Sequence, residues 1–494
     1  MSLIRQLRRL LLISTTLAVL LLSVGCVVGP NFKTPAPPQV PGYTPENPTT
    51  TTSTANVPGG EAQSFVENRD IPGDWWTLFH SKQLNDLIER ALKANPNLKS
   101  AQAALLVAKE NTLAQHGYYY PNVSAGFSAA RGKSSPDVSP VTFSGALSYS
   151  LYTPQVVVSY VPDVFGLNRR TIESLKAQEQ QARFALVATH ITLSSNIAAA
   201  AIQEASLRGQ IAATQQLIEI ATKTLEILRG QYAKGYASEL DVAAQQAQLA
   251  QVVATLPPLL KQLAQQRDLL AAFSGGFPSD KMAETFELSN FQLPRELPLS
   301  LPSNLVEQRP DVHQAEENLH AESALVGVAR ANRLPSFTLT ADAGSMAVLL
   351  GHLFTAGFWD VAGGLTQSVF DGKTLLHRER AAKAAYTQAE EQYRSAVVTA
   401  FQNVADTLHA IKQDAEALKA ASDATKAAAV TLELTKKQFD GGYANYLALL
   451  SAEQSYQQAL ISQVQAQSNR YADTVALFQA LGGGWWNRSD LPKN

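Results

Sequence analysis

Residues 191–236 read ITLSSNIAAAAIQEASLRGQIAATQQLIEIATKTLEILRGQYAKGY, and they decide the fold. They belong to a longer stretch, Asn168 to Lys234, that has no proline and only two glycines, Gly209 and Gly230. Ala, Gln, Leu, Ile and Glu dominate it, and all of these tolerate or favour helix. Leu193, Ile197, Leu207, Ile211, Ile218, Leu225, Leu228 and Tyr232 fall on a grid of threes and fours, the seam of a coiled coil. At about 1.5 Å per residue this arm is ~100 Å long. Lys234-Gly235-Tyr236 breaks it. A return arm follows with its own expected seam, Leu249, Val253, Leu256, Leu260, Leu263 and Leu270, up to Phe273. Pro257-Pro258 should kink that arm, because proline lacks an amide hydrogen and its ring crowds the preceding turn.

The hairpin occurs twice. Asn95-Pro96 and Tyr120-Pro121 correspond to Arg309-Pro310 and Leu334-Pro335, both displaced by 214 residues. The tip Tyr232 to Tyr236 corresponds to Phe439-Asp440-Gly441-Gly442-Tyr443, displaced by 207, as Gly275-Gly276 does to Gly482-Gly483. Each copy runs as a helix, an extended insert, a very long helix, a tip turn and a return helix. Two copies of this size are a tandem duplication rather than a solenoid. The two shorter helices of each copy sum to about the length of the long one, so they can stack end to end along it. The expected division is a first repeat over 71–276, a linker over 277–303, a second repeat over 304–484 and a tail over 485–494.

The inserts have period two. Val123, Ala125, Phe127 and Ala129 alternate with Ser124, Gly126 and Ser128. After a loop expected at Gly132 and Pro136, a second extended run covers Val156 to Val161. The second copy repeats the plan with Phe337, Leu339, Ala341 and Ala343, then Trp359, Val361, Gly363 and Leu365, around an apolar loop, Met346 to Phe358. Four strands alone leave edges that a bilayer does not tolerate, and closed barrels need about eight strands or more. The chain must therefore pool its strands with copies of itself, or the strands are not in a membrane. The expected fold class is mainly α with membrane β, built from tandem long hairpins and four strands per chain; three copies trimerising would give a twelve-stranded barrel and a twelve-helix tunnel.

With 40 basic and 42 acidic residues and no basic run, nucleic acid is an unsuitable partner. No GxxxxGK, HExxH, GxSxG or CxxC motif occurs, so the chain does not read as an enzyme and demands no cofactor. His313, Glu316, Glu317 and His320 lie at helical spacing, but two histidines seven apart are separated by ~10 Å along a helix. No metal site is assigned there. The only cysteine is Cys26. Arg5, Arg8 and Arg9, an apolar run from Leu10 to Leu22 and Ser23-Val24-Gly25-Cys26 resemble a bacterial lipoprotein signal. That resemblance makes 1–25 a signal peptide and Cys26 the lipidated start of the mature chain. Residues 26–70 are expected to be a Pro/Thr-rich leash without a core, with order beginning near Ile71.

Several stretches together resemble a known family. They are Gly25-Cys26-Val27-Val28-Gly29-Pro30, Asp74-Trp75-Trp76, Ser159 to Gly166 with Arg169-Arg170, Phe370-Asp371-Gly372, Ala400 to Asp406, and Arg470 to Trp486. The chain is similar to TolC-like outer-membrane efflux lipoproteins of the NodT and OprM type, the outer components of resistance-nodulation-division pumps. The resemblance implies a homotrimer in the outer membrane of a Gram-negative bacterium, with a periplasmic tunnel closed at its helix tips. It implies a periplasmic adaptor, which docks at the tips, and an inner-membrane transporter, which supplies the energy. The residues placed at the adaptor contact are Gly235, Tyr236, Ser238, Gly442, Tyr443, Asn445 and Tyr446, with the three tyrosines expected to be exposed. Where relatives carry acidic gating rings, this chain has Glu433, Lys436 and Asp440, expected to form a polar latch between protomers. A protein-secretion duct shares these features. A lipid-anchored coiled-coil scaffold is the competing class, and it has no need of the two alternating inserts.

Overall fold

The computed structural model describes residues 27–46, 49–133, 148–280 and 282–491. The signal segment, Cys26 and Pro136 lie outside the described residues. In chain order the elements are β1 (Ser64–Glu67), α1 (Lys82–Ala94), α2 (Pro96–His116), β2 (Asn122–Lys133), β3 (Ser148–Tyr160), α3 (Leu167–Ala233), α4 (Glu239–Phe273), β4 (Glu296–Leu299), α5 (Pro302–Gln308), α6 (Pro310–Ala331), β5 (Ser336–Ser345), β6 (Gly357–Thr366), α7 (Thr374–Asp440) and α8 (Tyr446–Ala480), with short 3-10 turns between some of them. The duplication is metrically close. Both α3 and α7 have 67 residues, and both α4 and α8 have 35. Both long helices start on the same device. Asp163 accepts from the amides of Asn168 and Arg169 at 2.9 Å, and Asp371 from those of Lys373 and Leu375 at 2.8 Å. Each carboxylate satisfies donors that a helix start leaves free, and its charge faces the positive end of the helix dipole.

The chain divides into two compact units; one division falls between Pro35 and Ala36, and the other four fall inside α2, α3, α6 and α7. One unit comprises Leu105–Ala182, Ala315–Tyr393 and the described part of Met1–Pro35. It holds an antiparallel sheet in the order β2-β3-β5-β6. The four expected strands are all present, with longer bounds than the alternation showed. Gly132 lies in β2 rather than in a loop, and β3 begins at Ser148. The segment between β5 and β6 is a loop with one short turn, Leu350–His352.

The other unit comprises Ala36–Ala104, Arg183–Gln314 and the described part of Arg394–Asn494. Its aromatic core joins Trp75, stacked on Phe478 with centroids 5.3 Å apart, to Phe79, Tyr471 and Phe291. Here two short helices are spliced at each repeat. Asn95 caps α2, its Oδ1 accepting from Asn97 and Leu98, while its Nδ2 donates at 2.9 Å to the carbonyl of Phe273, the last residue of α4. In the second copy Arg309 precedes α6 and donates at 2.9 Å to the carbonyl of Ala480, the last residue of α8. One side chain per repeat thus joins the end of a return helix to the start of a short helix.

Four expectations are corrected here. Pro257 and Pro258 do not interrupt α4, which runs as one helix across both. The carbonyls they leave without donors belong to Val253 and Ala254, both exposed, so water can serve them. The return seam is also displaced. Val253 and Leu260 are exposed, whereas Gln245, Gln248 and Val252 are buried. Most of the α3 seam is buried as expected, but Tyr232 is exposed. Finally, order does not begin at Ile71. β1 pairs in parallel with β4, an element within the expected linker, in the register Ser64↔Glu296 to Glu67↔Leu299. Thr51 donates its amide to Gln63 O at 2.9 Å, and Gln63 is wholly buried. Composition forbids this segment a core of its own, and it borrows one. Arg470 on α8, also wholly buried, donates to the carbonyls of Gly59 and Glu61 and to Thr51 Oγ1.

Arg470→Met leaves those three acceptors without their donor and is expected to destabilise the protein by about 3 kcal/mol. Denaturant midpoints measure this; an unchanged midpoint would show that the segment does not depend on Arg470.

Candidate functional site

Two places carry function-relevant chemistry, the helix tips in one unit and the sheet in the other. The tips are built alike. At the end of α3, Gly235 takes φ +76°, its amide bonds Tyr232 O at 2.9 Å, and Tyr236 N bonds Gln231 O at 2.9 Å. At the end of α7, Gly442 takes φ +77°, with Phe439 O at 3.0 Å and Gln438 O at 2.8 Å from Tyr443 N. A Cβ at either glycine would meet nothing within 4 Å. Glycine is required by the left-handed backbone, not by crowding. Ser238 and Asn445 then cap the return helices. Ser238 does so in a reciprocal box with Asp241, and Asn445 Oδ1 accepts from Ala448 N at 2.9 Å.

Tyr236 and Tyr443 are 81% and 90% exposed, and Leu240 and Leu447 beside them are exposed too. Tyr446 is not. It is 4% exposed and sits in a cluster with Leu228, Phe439 and Leu449. Its hydroxyl donates to Gln245 Oε1 at 2.6 Å, and Gln245 Nε2 donates to Ala221 O at 2.9 Å. This corrects its expected place on a contact surface. As the first residue of α8, Tyr446 points its ring between helices, where its hydroxyl needs a partner and finds one.

Around Tyr446 lies a polar set that sequence reading missed. Thr224 on α3 donates to Glu453 on α8 at 2.8 Å, and Gln454 donates to Gln248 on α4 at 3.0 Å. Glu453 is 5% exposed. The missed signal was the pair Gln245 and Gln248, which take seam positions where Leu was sought. Of the expected latch residues, Glu433 is held by Lys437 of its own helix at 2.6 Å. The charge of Lys436 acts on Glu453 of the same chain.

The register of the sheet separates its two faces. Val123 lies opposite Val158, which lies opposite Ala341, itself opposite Val361. Ala125, Val156, Ala343 and Trp359 form the next such row. Paired residues share a face, so Phe127, Val156, Leu339, Trp359, Val361 and Leu365 stand together, and all are exposed. The other face carries Ser124, Gln155, Ser159, Thr338, Thr340, Asp342 and Asp360 along the same registers. One edge of the sheet is β2 and the other β6, each paired on one side only.

His313 stacks on Phe184 at 4.4 Å with a ring nitrogen 2.9 Å from Glu307 O, whereas His320 faces Glu317 and Glu173. Among the described residues no group of three or more His, Cys, Asp or Glu is placed to hold a metal ion.

The sequence pattern of the family described as outer membrane efflux protein matches residues 87–276 and 301–483. The toluene efflux pump outer membrane protein TtgC of Pseudomonas putida is 30% identical over 479 residues, covering 94% of each chain. The antibiotic efflux pump outer membrane protein ArpC of Pseudomonas putida shows the same identity and coverage. Among solved structures, the outer-membrane channel OprN superposes with a TM-score of 0.83 at 25% identity, covering 93% of this chain and 100% of that one.

Burial is the largest influence on Glu453 and raises its carboxyl above the ordinary 4.5, against the bonds from Thr224 and Gln245 and the charge of Lys436. The folded state thus holds this proton more tightly than the unfolded chain. Stability contributed by the neutral acid is lost as pH rises from about 4.5 through the folded value. Glu453→Gln keeps an acceptor for Thr224 without the charge. It is expected to flatten that decline and to raise the denaturant midpoint at neutral pH. An unaltered pH profile in the variant would locate the decline elsewhere.

Proposed function

Because the chain belongs to the outer membrane efflux protein family, we propose that it is the exit duct of a tripartite efflux pump, passing small molecules outward through the outer membrane. The two-faced sheet with both edges open carries the reading. Its apolar face suits hydrocarbon and its polar face suits a water-filled lumen. In a bilayer an unpaired strand edge costs several kcal/mol per orphaned group. Pairing β6 of one copy with β2 of the next removes every edge once the ring closes. Three copies give twelve strands, a size that leaves a lumen. A coiled-coil scaffold has no use for an exposed row of Phe127, Leu339, Trp359 and Val361, so that class is not favoured.

Lipid on Cys26 anchors the chain. A periplasmic adaptor docks on the two tips, where Gly235, Tyr236 and Ser238 lie in one turn and Gly442, Tyr443 and Asn445 in the other. An inner-membrane resistance-nodulation-division transporter supplies the energy, and this chain conducts passively. Tyr446, Gln245, Gln248, Thr224 and Glu453 tie the two hairpins of one protomer together, so both tips move as one body when the adaptor binds. Glu433, Lys436 and Asp440 line the last turns of α7 and close the passage between protomers. The names of the relatives place toluene and antibiotics among the cargo of such ducts. Small, mostly apolar molecules are the cargo class proposed here.

Native mass and planar-bilayer recording test this reading. A trimer with small, rarely open conductance is expected, and a monomer that never conducts would overturn it. Tyr446→Phe, which leaves Gln245 without its donor, is expected to loosen the tips and raise the open-to-closed ratio by about 5- to 150-fold, matching the ~1–3 kcal/mol of a buried unpaired acceptor. Tyr236→Ala with Tyr443→Ala is expected to weaken adaptor binding about tenfold or more while leaving conductance alone. Unchanged currents in both Lys436→Ala and Asp440→Ala would remove those residues from the gate.

A further inference from the structure

The residues that follow Cys26 are bolted to the chain in an unusual way. Val28 donates its amide to Phe165 O at 3.3 Å. Arg170 on α3, 4% exposed in its side chain, donates from Nε to Val28 O at 3.1 Å and from Nη2 to Gly29 O at 3.4 Å and Asn31 Oδ1 at 2.8 Å. Its remaining nitrogen, Nη1, holds Glu173 at 2.6 Å. Gly29, at φ +103°, lies so close to α6 that a Cβ there would be 2.4 Å from Gly327 Cα. Phe32 then lies flat on His320, centroids 4.3 Å apart and planes within 12°.

His320 closes the set. Its Nδ1 is 3.4 Å from Glu317 on its own helix, and its Nε2 is 3.3 Å from Glu173 on α3. A neutral imidazole has one N–H and one lone pair. With a carboxylate at each nitrogen, the neutral ring turns its lone pair on one of them, whereas the imidazolium donates to both. The cation also favours the face of Phe32. Glu173 is the hinge of the network, because it takes both His320 and Arg170, and Arg170 in turn holds the segment.

We propose that Val27–Phe32 is a proton-sensitive strap, seated on α3 and α6 by Arg170 and closed by His320 between Phe32, Glu173 and Glu317, which loosens when His320 loses its proton. The charged groups that face His320 are Glu317 from α6 and Glu173 from α3, with Arg170 behind Glu173. The strap brings Phe32 and no charge, since Lys33 beside it is exposed. The hydrogen bond to Glu317 is the first cause raising this imidazole above 6.5, with Glu173 adding to it and burial opposing. A raised histidine holds its full contribution below about 6.5 and loses it as pH rises through the folded value. The strap is therefore firm in mildly acidic medium and looser in alkaline medium. It starts one residue after the anchoring position, so the device sets how rigidly the anchor is tied to the wall of the duct.

Hydrogen exchange of the peptide spanning 27–33 tests this in the full-length protein in detergent, at about pH 5.5 and about pH 8.5, with rates referenced to the unfolded chain. Protection is expected to fall as pH rises, by about tenfold for each unit by which the strap-closed state raises the imidazole. His320→Gln is expected to remove the step and hold protection at its lower value. Glu173→Gln, which keeps the imidazole, is expected to shrink the step. Equal protection at both pH values in the unmodified protein, or an undiminished step in either variant, would overturn the proposal. The readout is local to the strap, so it separates this proposal from the conducting role.

Discussion

A helix that stops leaves its last carbonyls without donors, and this fold turns on how two such ends are answered. Asn95 reaches the carbonyl of Phe273, and Arg309 reaches that of Ala480. Each bond joins the end of a return helix to the start of a short helix of the same repeat. Both residues stand before a proline. The proline costs nothing at a helix start, where its missing amide would be free in any case. Both splices belong to the unit that also holds the buried Arg470 and the Trp75–Phe478 stack, so the ends meet where side chains from many parts of the chain pack together.

Periodicity made the long helices and the four strands legible, because each repeats one simple rule over many residues. Leu193, Ile197, Leu207 and Leu228 are buried where a seam of threes and fours places them. What stayed hidden depends on partners far away in sequence. β1 and β4 are four residues each and exist only as a pair across more than two hundred positions. Thr51 and Gln63 look like linker residues until Arg470 is placed above them.

The tips divide in the same way. Gly235 and Gly442 were legible because a turn with positive φ singles out glycine. Tyr446 was misplaced because a tyrosine next to a turn carries no sign of which way its ring points. Gln245 and Gln248 were passed over because a search for apolar seams discards amides. In this bundle those amides occupy core positions, satisfied by Tyr446, Ala221 and Gln454. The expected latch residues were legible as charge near a tip, and within one chain Glu433 meets Lys437 of its own helix. The histidines seven apart proved to serve separate partners, in line with the axial distance that spacing imposes.

The amide-rich joint near the tips bears on temperature. Parting two helices across leucine seams exposes apolar surface and raises heat capacity, so the free energy of parting curves with temperature. Parting them across Tyr446–Gln245, Gln248–Gln454 and Thr224–Glu453 exposes amide, hydroxyl and carboxyl surface, which lowers heat capacity and offsets the share of Leu228, Phe439 and Leu449. A joint of mixed character therefore has a less curved thermal response than a greasy one. The cost of separating the hairpins follows temperature more nearly as a straight line than it would across leucine seams alone.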